Sequence, residues 1–219
     1  MVNELLVRRW DYGGISAVAV GPMRAGKTTL LAFMADFLAQ HGERVIWRGL
    51  PTCQWAYVPP ERVKLLLSPC WAEYGVWHAK RLGRVELQDL GVEYTVFYTL
   101  EDVLWKAEKG KVNVVYLDED EDFIKLLGKL VERPSFEWCS VFCDEIQELA
   151  PQNVPDKYSQ AEEMARQVGR TGQAHISFYC ATQDLGSVFW ALWRKLMWRI
   201  YLRCGTVWRR DRIRQPVVD

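Results

Sequence analysis

The sequence predicts an α/β fold with a mostly parallel central sheet flanked by helices. Its 219 residues are enough for one domain with a sizeable core. Short apolar runs alternate along the chain with segments of helical spacing, which is the pattern of parallel strands connected by helices. A loop that carries glycine lies between the first apolar run and the first helical segment. Residues 1–219 are therefore interpreted as a single domain.

The N-terminal half contains two strands, one helix and a segment of unclear type. Residues 15–20, ISAVAV, form a continuous apolar run that indicates a buried strand. Residues 28–40 have helical spacing and end at a His-Gly pair, which is a helix-end signal. Residues 44–47 indicate a second strand. Residues 49–95 carry four prolines among aromatic and basic residues, and we predict that they form an insertion with some local structure.

The C-terminal half alternates strands and helices. The apolar runs at residues 112–117, 138–143, 175–181 and 199–203 predict strands. Helical spacing predicts helices at residues 100–108, 121–132, 159–168 and 187–197. The last residues, 204–219, are basic and are predicted to form a peripheral tail.

The bulk composition argues against several classes of protein. The formal net charge is +0, so any nucleic acid would have to be bound by a local basic patch. Six scattered cysteines contain no C-x-x-C pair, which argues against a zinc knuckle and predicts reduced thiols in a cytoplasmic protein. No apolar run reaches the roughly 18 residues of a membrane span, and the N-terminal residues lack the apolar region of a signal peptide.

A phosphate-binding loop is the strongest local signal. Residues 21–28, GPMRAGKT, match G-x-x-x-x-G-K-[ST] at every position, between a predicted strand and a predicted helix. Backbone N–H groups of such a loop surround the phosphates, and the following helix directs its positive end at the anion. We predict a P-loop NTPase that binds ATP, with Lys27 on the β- and γ-phosphates and Thr28 on Mg²⁺. The predicted nucleotide-binding residues are Gly21, Pro22, Met23, Arg24, Ala25, Gly26, Lys27, Thr28 and Thr29.

A carboxylate is expected at the end of a neighbouring strand, because the Mg²⁺ shell of a P-loop enzyme needs one. Two acidic pairs follow predicted strands, Asp118-Glu119 and Asp144-Glu145. The first pair belongs to the run DEDED, whose adjacent charges suit a solvated helix N-terminus. Asp144 is therefore predicted as the Mg²⁺ ligand and Glu145 as the base that polarises the attacking water. A glutamate in that place favours hydrolysis over phosphate transfer to a small molecule.

A sensor residue is predicted near the end of the sequence MARQVGRTGQAHISFYCATQD, residues 164–184. Gln183 would follow an apolar strand next to the strand that carries Asp144, at the sheet edge where open α/β sheets bind ligands. An amide there can contact both the γ-phosphate and the attacking water. Gln183 is therefore predicted to report whether the triphosphate is intact.

These motifs resemble the FtsK/HerA superfamily of ring-forming, DNA-pumping ATPases. Members typically have an arginine-containing helix, a glycine, an apolar strand and then A-T-Q, and also a D-E-A-H-like acidic motif. Here Ile146 stands where the superfamily often has alanine, and Gln147 where histidine is common. The resemblance covers residues 14–40 and 110–203. The small size is similar to that of minimal genome-packaging ATPases of membrane-containing icosahedral viruses.

The resemblance implies a RecA-like fold, a homo-oligomeric ring such as a hexamer, and translocation of double-stranded DNA. Arg170 or Arg166 would act as an arginine finger on the γ-phosphate of a neighbouring subunit, and the sequence leaves open which of them serves. In a packaging role the protein would work in the host cytoplasm. Capsid or membrane proteins of the virion would be its partners, while the chain itself would not be transmembrane.

The basic and aromatic C-terminal region is the candidate contact for DNA. It contains Arg194, Lys195, Arg199, Arg203, Arg209, Arg210, Arg212 and Arg214, interleaved with Trp190, Trp193, Trp198 and Trp208. Such a composition suits phosphate binding and base stacking, but a subunit interface also favours Trp and Arg. A second cluster of this kind comprises Trp71, Tyr74, Trp77, His78, Lys80, Arg81 and Arg84.

Two other classes of function share some of these motifs. The sequence GPM followed by GKTT resembles the P-loop of thymidine kinases, and D-E-x-Q is similar to their acidic motif, but their C-x-x-C zinc site is missing. A P-loop ATPase of secretion, plasmid transfer or phage assembly would carry nearly the same motifs as a packaging enzyme.

Overall fold

The computed structural model describes residues 13–51, 54–74, 76–78, 83–85, 91–132 and 138–203. The strands are β1 (Ser16–Val20), β2 (Arg44–Arg48), β3 (Val63–Leu67), β4 (Val76–His78), β5 (Gly83–Val85), β6 (Glu93–Val96), β7 (Val112–Tyr116), β8 (Cys139–Cys143), β9 (Ile176–Thr182) and β10 (Trp198–Tyr201). The helices are α1 (Lys27–Gln40), α2 (Pro69–Tyr74), α3 (Leu100–Lys106), α4 (Asp120–Glu132), α5 (Ile146–Leu149), α6 (Tyr158–Thr171) and α7 (Trp190–Trp193). Short 3₁₀ turns cover Gln54–Tyr57, Pro60–Arg62, Pro155–Lys157 and Leu185–Ser187.

Eight strands form one sheet in the order β10-β1-β9-β8-β2-β7-β3-β6. Every neighbouring pair in this sheet is parallel, so the predicted mostly parallel sheet is confirmed. The strands β4 and β5 form a separate antiparallel pair. In the main sheet β9 lies between β1 and β8, which brings the loops that follow these three strands to one edge.

Helices cover both faces of the sheet and create two hydrophobic cores. Helix α1 packs on one face, where the rings of Trp47, Phe142 and Tyr179 stack across β2, β8 and β9 with centroid separations of 5.5 and 4.8 Å. Helices α3 to α7 contribute to the core on the other face. Because the central strands are buried on both sides, they are continuous apolar runs such as CSVFC rather than alternating patterns.

Residues 49–95, predicted as an insertion with some local structure, supply β3 and most of β6 to the main sheet. Strand β3 lies between β7 and β6, and all five of its residues are buried. Its Lys64 forms ion pairs with Glu93 and Glu108, which satisfy the buried ammonium group. Apolar periodicity did not predict this strand, because the run VKLLL contains a lysine and prolines surround it.

The predicted helix at residues 187–197 is reduced to the four residues of α7. The backbone N–H of Phe189 donates to the carbonyl of Ala150, and the N–H of Met197 donates to the carbonyl of Ser16. These long-range bonds direct the chain into β10, which pairs with β1 at the sheet edge. The predicted basic tail at 204–219, with Trp208 and its arginines, lies outside the described residues. Within the described segments, no helix has both the length and the apolar character to cross a bilayer.

Candidate nucleotide-binding site

The P-loop, the acidic pair Asp144-Glu145 and the predicted sensor Gln183 lie together at the carboxyl edge of the sheet. The P-loop follows β1, Gln183 follows β9, and Asp144 and Glu145 follow β8. The backbone N–H of Gly21 donates to the carbonyl of Thr182 over 3.3 Å, which ties the start of the P-loop to the end of β9. The strand order therefore unites three motifs that are far apart in the sequence.

The P-loop leaves the first turn of α1 open toward an anion. Gly26, which precedes the helix, has φ 92° and makes no side-chain capping bond. This left-handed conformation is readily adopted by glycine, whereas a residue with a Cβ would be strained. The first N–H groups of an uncapped helix lack partners within the helix, so they are available for phosphate oxygens.

The side chain of Lys27 is bound inside the P-loop. Its side-chain Nζ donates to the carbonyl of Gly21 at 2.8 Å and to the carbonyl of Pro22 at 2.9 Å, and the residue is only 6% exposed. These two bonds hold the ammonium group inside the loop. A phosphate oxygen in the loop would offer a charged acceptor in place of these two neutral ones.

Thr28 and Asp144 join the P-loop to the acidic strand. The Thr28 Oγ1 donates to Asp144 Oδ2 at 2.6 Å, and the backbone N–H of Glu145 donates to Asp144 Oδ1 at 3.0 Å. Hydroxyl and carboxylate oxygens suit Mg²⁺, which is often held by one or two protein groups together with substrate phosphates. No trio of His, Cys, Asp or Glu side chains in the described segments could hold a metal alone. The pair Thr28 and Asp144 therefore fits Mg²⁺ that binds together with a nucleotide.

Burial raises the pKa of the Asp144 carboxyl above its ordinary value, although the hydrogen bond from Thr28 opposes this shift. Asp144 is 1% exposed. A buried carboxylate favours a neighbouring cation, because a positive charge compensates for the lost hydration. The need for a compensating positive charge is a further reason to assign the Mg²⁺ site to Asp144.

Asp144→Asn is expected to raise the unfolding temperature of the nucleotide-free protein at neutral pH. The folded-state pKa of Asp144 is raised, so ionised Asp144 costs stability at pH values above that pKa, and the cost fades as the pH falls toward the ordinary value of 3.8. The stability difference between variant and wild type should therefore vanish in acid. Thermal unfolding of both proteins without Mg²⁺, across this pH range, measures it. A variant that is less stable at neutral pH would mean that the hydrogen bonds to Asp144 outweigh its burial.

Glu145 adopts a left-handed backbone conformation at the start of α5, with φ 51°. Its carboxylate accepts a hydrogen bond from the side-chain Nε2 of Gln147. Glu145 and Gln183 line one cavity of about 670 Å³ at the carboxyl edge of the sheet. The predicted base and the predicted sensor therefore face a common space beside Asp144.

The two candidate finger arginines lie on α6, across the sheet from α1. Arg166 forms a two-bond ion pair with Glu163, and Arg170 donates to the side-chain oxygen of Gln167 at 3.3 Å. Helix α6 ends beside Gly172, whose carbonyl accepts from the N–H of Gly14 just before β1. Arg170 thus lies near the amino edge of the sheet, away from the P-loop of its own chain. A role on the phosphate of another subunit stays a prediction for both arginines.

The acidic run DEDED, residues 118–122, is the alternative to Asp144-Glu145. It lies at the start of α4 as predicted, but its side chains also form hydrogen bonds with other parts of the fold. Asp118 accepts a hydrogen bond from the Ser68 hydroxyl at 2.6 Å, and Asp120 accepts one from Arg48 at 2.6 Å. Its strand, β7, is separated from β8 by β2. Arg48 at the end of β2 was not predicted as a site residue. An arginine that closes an apolar strand just before Gly-Leu-Pro was the available signal.

The fold and the site together define a P-loop NTPase, the class that the sequence predicts. Two structures of the genome packaging NTPase B204 from Sulfolobus turreted icosahedral virus 2 are similar in fold. The complex with sulfate has a TM-score of 0.52 at 14% identity, over 87% of this chain and 76% of that chain. The complex with AMPPCP has a TM-score of 0.50 at 14% identity, over 86% of this chain and 76% of that chain. The RecA-like α/β fold is thereby confirmed.

A third similar structure is the conjugation coupling protein TcpA of pCW3, in its monomer form with ATPgS. It has a TM-score of 0.47 at 14% identity and covers 86% of this chain and 49% of that chain. No protein-family model and no curated protein matches the sequence.

Proposed function

We propose that this protein hydrolyses ATP and uses the energy to translocate double-stranded DNA. The observation that carries the ATPase proposal is the 2.6 Å bond between Thr28 and Asp144, with Glu145 next in the chain. It unites the P-loop with a buried carboxylate and an adjacent candidate base. Thr28 is 116 residues away from Asp144 in the sequence, so the contact is specific to the fold.

Each residue of the site has a distinct role in the proposed reaction. The P-loop N–H groups and Lys27 bind the phosphates and stabilise the charge that develops during transfer. Glu145 accepts the proton of the attacking water, and the Gln183 amide orients that water. Thr28 and Asp144 would hold Mg²⁺, which would neutralise negative charge on the phosphates when bound. A glutamate placed to activate water favours hydrolysis over transfer to a nucleoside.

The position of α6 supports an oligomeric form. Arg166 and Arg170 lie on the far face of the sheet from α1, so a finger from either one would have to act on a neighbouring subunit. Such a finger can raise the rate by about 10³ to 10⁵. We infer a homo-oligomeric ring, such as a hexamer, in which the α6 surface of one subunit meets the nucleotide of the next.

The motor role is proposed from the motifs together with the fold. The resemblance to the FtsK/HerA superfamily and the similarity in fold to the genome packaging NTPase B204 support packaging of a viral genome. In that role capsid or membrane proteins of the virion would be further partners. Plasmid transfer, secretion or phage assembly is the alternative, and detection of the protein with procapsids would distinguish packaging from these.

The DNA contact is proposed at the surface of α7 and β10. Arg194, Lys195 and Arg203 are exposed there, and none of the three forms an ion pair with another described residue. Trp190 and Trp198 are each 49% exposed, and the Arg194 guanidinium lies 5.3 Å from the Trp190 ring centroid. Unpaired cations beside exposed rings suit the phosphates and sugars of a nucleic acid.

Double-stranded DNA is expected to stimulate ATP hydrolysis by the assembled protein. The double variant Arg194→Glu/Lys195→Glu should lose most of this stimulation, because it replaces two phosphate-binding cations with anions. Turnover is measured with and without DNA over a series of salt concentrations, and Lys125→Glu on the exposed surface of α4 serves as the control. If the double variant loses its oligomeric state and also hydrolyses ATP more slowly in the absence of DNA, this surface is a subunit interface. A wild type indifferent to DNA would refute the motor role.

A further inference from the structure

Arg48 is a buried cation between two carboxylates from different parts of the chain. It ends β2, and its side chain is only 7% exposed. One guanidinium nitrogen, Nη2, donates to Asp120 at 2.6 Å, at the start of α4. The other, Nη1, donates to Glu148 at 3.1 Å, within α5. Strand β2 lies between β8 and β7 in the sheet. Arg48 thus connects the end of β2 to the segment that follows β7 and to the segment that follows β8.

Helix α5 depends on such contacts because it is a single turn of four residues. A helix this short has no stability of its own in water. Its apolar side is fixed by Ile146 and Leu149, which are fully buried. On its polar side, Glu148 is bound by Arg48 through its carboxylate. The N–H of Glu148 donates to the carbonyl of Glu145 at 3.0 Å, so the helix is continuous with the candidate base.

Glu145 has the left-handed φ of 51° that non-glycine residues rarely adopt. Such a conformation persists only when the surroundings fix it. We propose that Arg48 is a positioning residue for Glu145, and that it acts by holding α5 against α4 through Glu148 and Asp120. This inference rests on the proposed function for the role of Glu145 as the base. Arg48 itself need not touch the nucleotide.

The charges in the cavity beside Glu145 explain why a cation is needed here. Asp118, Glu119, Asp120, Glu145 and Glu148 all line it, and among the lining residues that the structure describes Arg48 is the only cationic one. Lys157 also contacts Asp120 at 3.4 Å, but its side chain is 42% exposed, so solvent weakens its field. Without Arg48 the carboxylates would repel one another, and α5, a single turn that carries Glu148, would move in response.

The experiment compares Arg48→Gln and Glu148→Gln with wild type by steady-state ATP hydrolysis. Both variants should lower kcat, Arg48→Gln by about tenfold, because a misplaced base slows the chemical step. KM for ATP should change by less than about twofold, since the P-loop is untouched. The double variant should be no slower than Arg48→Gln alone, because Arg48→Gln already removes the contact that Glu148→Gln breaks. Arg62→Gln is the matched control, since it removes an arginine paired with Asp36 on α1, away from the cavity.

Hydrogen exchange of the backbone amides of α5 is the second measurement, and it does not depend on activity. These amides should exchange faster in both variants and normally in Arg62→Gln. Variants with a lower unfolding temperature but normal kcat and normal α5 exchange would make Arg48 merely structural and overturn the inference. If wild type itself does not hydrolyse ATP, the proposed function fails, while the exchange experiment still decides whether Arg48 holds α5.

Discussion

Lys27→Ala is expected to lower the rate of ATP hydrolysis by at least about 100-fold, because it removes the cation that stabilises charge on the transferred phosphate. The fold should survive, since Lys27 in the free protein bonds only to the carbonyls of Gly21 and Pro22. Pro22 is exposed, so water can replace the ammonium group at its carbonyl, whereas the bond to the Gly21 carbonyl is buried and its loss should lower the unfolding temperature. Steady-state turnover and binding of a fluorescent ATP analogue measure the two consequences separately, and both should fall.

The matched control is Lys125→Ala, which removes an exposed lysine from α4 and breaks only an ion pair with Asp122. This variant should hydrolyse ATP like wild type. Circular dichroism and thermal unfolding of Lys27→Ala establish that the variant is folded. Substantial turnover by a folded Lys27→Ala protein would show that the P-loop is not where the phosphates bind.

Glu145→Gln is expected to slow ATP hydrolysis by about 10² to 10⁴, because the amide cannot accept the proton of the attacking water. Unlike the lysine variant, it should bind ATP as tightly as wild type, since Thr28, Asp144 and the P-loop remain. The bound nucleotide should therefore accumulate as ATP rather than ADP. Analysis of the nucleotide retained after rapid gel filtration, with single-turnover kinetics beside it, distinguishes the two variants.

Glu119→Gln is the informative control, since Glu119 belongs to the acidic pair that follows β7. Glu119 lines the same cavity as Glu145, but the P-loop contacts Asp144 at the end of β8 and β7 is two positions away from β8, so Glu119 should not supply the base. Near-normal turnover by Glu119→Gln is expected. The opposite result, a slow Glu119→Gln and an active Glu145→Gln, would transfer the catalytic role to the acidic run and would contradict the role of Glu145 as the base.

The local motifs of the site could be predicted from the sequence because each is encoded by adjacent residues. The glycines and the lysine of residues 21–28 specify a loop between a strand and a helix, whatever the rest of the chain does. The apolar runs of β8 and β9 identify buried strands, and the polar residues that follow them, Asp144 and Gln183, must lie at the strand ends. The parallel arrangement followed from the alternation of strands and helices.

Strand order and the contacts that depend on it were decided only by the tertiary structure. The sequence predicted that β9 lies next to β8, but it did not specify that β1 is the other neighbour of β9, or that β3 and β6 join the same sheet. Arg48 meets Asp120 and Glu148 across 72 and 100 residues of sequence. Buried apolar strands of similar composition can pair with many neighbours, so their order depends on how all the helices and strands pack at once. Local patterns determined the chemistry that is available, and global packing determined which groups meet.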